Sequence, residues 1–195
     1  MGLLLPDLLR NYSKNEYNKK LINNKNGFEN DLSKGVVSHI KRDASFHESI
    51  FFKSVYNENL EICKRIFGLN EIPRYWFGIH ILIEMQLDQI LIKTEEHLLH
   101  KMYEDMEKAI PSIELFLFSI EHQNHNKFLD GVFRFVESKY LLKYNDENGI
   151  SYGLNRVYQQ VNADNRTWGP EIGKSLIPLL DSINNSIHKH FQTLS

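Results

Sequence analysis

The stretch Pro73 to Lys93 constrains the fold more than any other part of the chain. Trp76, Phe77, Ile79, Ile81, Leu82, Ile83, Met85, Leu87, Ile90 and Leu91 leave almost no face of a helix for water, so a helix here belongs in the interior of a protein. The same segment carries His80, Glu84 and Asp88 at four-residue steps, which places all three on one stripe. Burying carboxylates costs several kcal/mol unless they are paired or bound to a cation, so this stripe requires a partner.

The preceding segment can supply one. His39, Asp43 and His47 repeat the four-residue spacing within a helical pattern that runs from Asp31 or Ser33 through Val36, Val37, Ile40 and Ala44 to Phe51. Two stripes of imidazole and carboxylate can then face each other. Asp7, following Pro6 in a turn-like position, adds a seventh group. Nitrogen and oxygen donors without sulfur suit Mn²⁺, Mg²⁺, Zn²⁺ or Fe²⁺, with more carboxylate favouring the harder ions. Such an ion can polarise a phosphoryl oxygen and bring the pKa of a bound water toward neutrality, which is the chemistry of phosphoester hydrolysis. On this reading Asp7, His39, Asp43, His80 and Asp88 are candidate metal ligands. Asp7, His47 and Glu84 are candidate catalytic groups, with His47 and Glu84 serving as ligand, orienting group or general base. The alternative is a buried histidine–carboxylate network that fixes helix register without any ion.

The rest of the chain reads as helix and connection. Residues 10–34 are rich in Asn and Lys and form a polar link, either a solvated loop or a basic surface that steers an acidic partner. Further helices fit Glu58 to Phe67, with Gly68 at the C-terminal cap. Pro73 then opens the apolar helix, Thr94 caps a fourth, and Pro111 starts a fifth through Ile120. Asn126 to Tyr144, Ile150 to Val161 and Pro170 to Phe191 complete a set of about eight. No segment alternates with period two long enough to demand a sheet. The expectation is an all-α protein forming one domain over residues 1–195, because a chain of this length buries about 70% of its unfolded surface around a single core.

Composition removes several function classes. With 23 Lys and Arg against 25 Asp and Glu, the chain lacks the basic excess of a nucleic-acid binder, and its aromatic residues fall at core-like spacings. Neither a glycine-rich nucleotide motif, a phosphate loop nor a serine-hydrolase elbow occurs. Cys63 is the single cysteine, which rules out an internal disulfide and points to the cytoplasm. No stretch reaches the roughly 18 apolar residues that a membrane span needs. Arg134 and Arg156 stand beside apolar helical positions and either grip a substrate phosphate or pair with surface carboxylates.

Gly2, Leu3, Pro6 and Asp7, then Val36, Val37, His39, Arg42 and Asp43, then the apolar helix with His80, Glu84 and Asp88, together resemble the acyl carrier protein phosphodiesterase family. The resemblance covers roughly residues 1–95 by motif and implies an HD-domain-like helical fold. It also implies a divalent metal, usually Mn²⁺, and release of phosphopantetheine from acyl carrier protein, with Asp7, His39 and Asp43 on the family's ligand positions and Arg42 beside them as a substrate-binding candidate. The chain departs from the family where residues 46–51, Phe46 to Phe51, replace a Thr-Asp-x-His-Pro stretch. That departure carries the rival expectation, a non-catalytic helical binding or scaffold protein of the same fold that holds no metal.

Overall fold

The computed structural model describes residues 27–119 and 125–192. Asp7 and most of the polar link at 10–34 lie outside the described residues. Every element among those described is helical: α1 Gly27–Glu48, α2 Ile50–Leu69, α3 Tyr75–Ser119, α4 His125–Ser138, a 3₁₀ helix Tyr140–Asn145, α5 Glu147–Gln160 and α6 Pro170–Gln192. None is long and apolar enough to cross a membrane.

The helix ends follow from local chemistry. Ser49 takes an extended backbone (φ −63°, ψ 150°) that ends α1, and its Oγ accepts the Phe52 N–H at 3.0 Å to cap α2. The pattern reaching from Asp31 to Phe51 is therefore two helices joined at Ser49. At the far end of α2, Ile72 N–H bonds Phe67 O (2.8 Å) and Glu71 N–H bonds Gly68 O (3.2 Å). This is a Schellman closure with Glu71 in the left-handed position, at φ 54°. The helix thus runs past Gly68, the residue expected to cap it. The end of α5 repeats the arrangement, with Ala163 N–H on Tyr158 O (2.9 Å) and Asn162 at φ 51°.

The third helix merges three expected ones. Glu95 (φ −140°, ψ 43°) breaks its regularity close to the expected boundary. The Thr94 hydroxyl, however, donates backward to Ile90 O at 2.9 Å rather than capping the following turn. Pro111 lies inside the helix; it removes one amide donor without ending the element. Conversely, the long helix expected over Asn126 to Tyr144 divides after Ser138, where Lys139 adopts φ 44° and the 3₁₀ turn begins.

The chain forms two compact units. The first takes residues 27–46, 97–119 and 125–140 of those described, around Val36, Tyr103, Met106, Ile110, Ile113, Phe128 and Val132. Here the Tyr103 and Phe135 rings lie 5.5 Å apart. The second takes His47–Glu96 and residues 141–192. In it α6 packs against both α2 and α5, over a core of Phe67, Ile79, Leu82, Ile83, Leu154, Tyr158, Leu176 and Ile183. Each such apolar side chain contributes roughly 1.5–3 kcal/mol on full burial. Gly78 lets α3 approach closely, since a Cβ there would overlap the Phe67 ring. Tyr158 closes the same contact by donating its hydroxyl to Arg74 O at 3.0 Å. Cys63 is fully buried, and burial pushes its thiol up to about 12, so it behaves as a small apolar filler.

Candidate metal centre

Within the second unit, three groups from the sequence stripes meet. His47 comes from the last turn of α1, and His80 and Glu84 from consecutive turns of α3. Glu84 Oε1 lies 2.9 Å from His47 Nε2 and 3.1 Å from His80 Nε2. The two imidazoles stack with centroids 4.3 Å apart and planes 22° from parallel. Phe52 meets both rings edge-on, at 4.8 Å from His47 and 5.3 Å from His80. One nitrogen from each histidine and one carboxylate oxygen lie within 4.8 Å of one another.

The electrostatics follow from this geometry. Burial raises the pKa of Glu84, but the hydrogen bonds and charge of His80, and then of His47, outweigh it and hold the carboxyl below its ordinary value. An ionised carboxylate only accepts hydrogen bonds, so each imidazole donates from Nε2 in this arrangement. One turn further along α3, Asp88 is pushed up to about 7, by burial first and by the charge of Glu84 second. Side-chain exposures of 22% for His47, 35% for His80 and 36% for Glu84 leave the cluster reachable from solvent. Two imidazole nitrogens and one carboxylate oxygen this close together could hold a divalent ion.

The other sequence candidates are placed as follows. His39 is half-buried, and Arg42 and Asp43 are exposed, on the part of α1 that belongs to the first unit. Asp88 shares α3 with the cluster but stands outside the three-residue group. Arg134 is exposed on α4 and donates to Asp130 O at 3.2 Å. Arg156 is exposed on α5 with a contact to Gln159 Oε1 at 3.3 Å. Phe52, which fixes the orientation of both imidazoles, carries no sequence signal of its own: it lies five residues after His47 and across a helix break.

Comparison of the chain with protein-family models, with curated proteins and with solved structures finds no match.

Proposed function

We propose that the chain is a metal-dependent phosphodiesterase-like hydrolase that holds a divalent cation at His47, His80 and Glu84. The observation that carries this reading is the convergence of three metal-competent atoms within 4.8 Å on side chains fixed by stacking and edge contacts. The donor set fits the ion: two imidazoles and one carboxylate suit Mn²⁺, Fe²⁺ or Zn²⁺ better than Mg²⁺, which prefers oxygen. The resemblance of the Asp7, His39 and Asp43 motifs to acyl carrier protein phosphodiesterase supports a phosphopantetheine ester, or another phosphoester, as substrate.

When bound, the cation supplies Lewis acidity toward a phosphoryl oxygen and lowers the pKa of water. The protein's own groups do the rest. His47, His80 and Glu84 would hold the ion, and because both Nε2 atoms would have to give up the protons they donate to Glu84, loading would depend on pH. Phe52 holds the rings in place. Asp88, one turn further along α3 and raised by burial and by the Glu84 charge, is the nearest candidate on that helix for exchanging a proton. Arg42 and Arg134 belong to the first unit, and Arg156 lines a different cavity of the second, so the reading does not rest on a phosphate clamp.

The test is hydrolysis of bis(p-nitrophenyl) phosphate by chelator-stripped protein reloaded with Mn²⁺ or Zn²⁺. Activity that depends on the ion and disappears in His80→Ala supports the reading; no activity with either ion overturns it. A second reading, a helical binding protein without metal, is favoured by one specific feature: Glu84 already satisfies both imidazoles without an ion. That reading predicts no change in melting temperature at saturating Mn²⁺ or Zn²⁺.

A further inference from the structure

The sequence pattern puts Trp76 among the residues of an interior helix, yet the structure leaves it 55% exposed. It stands in the first turn of α3, four residues before His80 and eight before Glu84, so all three share one face of the helix. His80 and Glu84 are two of the three groups of the metal centre. The rise from Trp76 to His80 is about 6 Å. Helical side chains lean toward the N-terminus of their helix, so the His80 ring leans over the turn that Trp76 begins.

The facing helix keeps the same register. On α2, Phe52 and Tyr56 are also four residues apart. The Phe52 ring lies 5.3 Å from the His80 ring, and the Tyr56 hydroxyl donates to Trp76 O at 3.4 Å. The two helices therefore run side by side through the centre, Phe52 beside His80 and Tyr56 beside Trp76. Phe52 is occupied by the imidazoles it meets edge-on. Trp76 is not: among the described residues the one aromatic ring it meets is Phe77, edge-on at 6.3 Å, and more than half of it stays open to solvent. An open indole thus stands one helical turn from the atoms that could hold an ion.

From this juxtaposition we propose, resting on the metal-centre reading above, that Trp76 is the specificity-determining residue of that site and selects phosphoesters that carry a flat aromatic ring. With the phosphoryl group at His47, His80 and Glu84, the ring of the same molecule stacks on the Trp76 indole. A half-exposed indole presents a large apolar face and a π-system at little conformational cost. Stacking on such a face accepts any base, because every base has a π-face of its own. A purely aliphatic phosphoester gains nothing from it. The substrate class is therefore a phosphodiester with a nucleoside or an aryl group as one arm.

Isothermal titration of the Mn²⁺-loaded full chain with adenosine monophosphate and with ribose 5-phosphate, which lacks the base, tests this. Adenosine monophosphate is expected to bind about tenfold tighter, the gain from one base stacked on an aromatic side chain. Trp76→Ala is expected to erase that preference and Trp76→Phe to keep most of it. Phenyl phosphate against methyl phosphate separates the two sources of the ring: a preference confined to adenosine monophosphate assigns a nucleoside, and one shared by phenyl phosphate assigns aryl groups in general. Equal affinity for adenosine monophosphate and ribose 5-phosphate, or a preference that survives in Trp76→Ala, overturns the proposal and leaves the metal centre standing. Protein that retains no Mn²⁺ before any probe is added overturns the metal centre itself and this proposal with it. The comparison of the two probes on wild type remains decisive should Trp76→Ala fail to fold.

Discussion

Asp88 and Glu84 stand one turn apart on α3 and respond oppositely to the same burial. Glu84 has two imidazole donors and is held below its ordinary value, whereas Asp88 meets the Glu84 charge and rises to about 7. A carboxyl whose folded value exceeds its unfolded value binds its proton more tightly when folded. Its contribution therefore declines as pH rises from the unfolded value of 3.8 toward about 7 and is constant above. Asp88→Asn is expected to remove that decline and to stabilise the protein at pH 8 by up to a few kcal/mol relative to wild type. Urea denaturation of both proteins at pH 4.5 and pH 8 reads the difference, and equal stabilities at pH 8 would show that Asp88 ionises without strain. Glu84→Gln has the reverse sign: it removes the charge that two imidazoles share, and ion-dependent hydrolysis should fall at least a hundredfold.

Among the elements, what sequence pattern revealed and what it hid divide along physical lines. The apolar helix of α3 and its stripe are legible because periodicity is local, and His80 and Glu84 meet as a four-residue spacing requires. The partner for that stripe was legible in part: the same spacing singled out His39, Asp43 and His47, but which of them meets the stripe is set by long-range packing of one helix on another. All three members of the α1 stripe share a face, yet only His47, next to the break at Ser49, reaches Glu84 within the second unit. Helix ends were misplaced where unusual residues hold left-handed backbone: Glu71 rather than Gly68 closes α2. Glu71→Gly should relieve that position and raise stability by roughly 0.5–1 kcal/mol, read as a higher urea midpoint at unchanged slope. Removing the cap in Ser49→Ala should cost about 1 kcal/mol. Because Ser49 orients the chain directly after His47, the same variant is expected to weaken cation binding, measured by titration with Mn²⁺.

For the whole molecule, the His47, His80 and Glu84 cluster and the cavity lined by Trp168 both belong to the second compact unit, which takes in His47, α2, the first part of α3, α5 and α6. A formal net charge of −2 adds no general pull toward polyanions, so specificity rests on local groups. A cation that binds only the folded state at a hundred times its dissociation constant adds about 2.7 kcal/mol, a rise in melting temperature of roughly 5–10 °C for a chain of this length. The most direct measurement is metal content by mass spectrometry after chelator stripping, reloading with Mn²⁺ or Zn²⁺ and gel filtration, on wild type, His47→Ala and His80→Ala. About one equivalent retained by wild type and lost from both variants, with helical circular dichroism unchanged, is the predicted result. Wild type that retains no ion, or variants that retain as much as wild type, would contradict it.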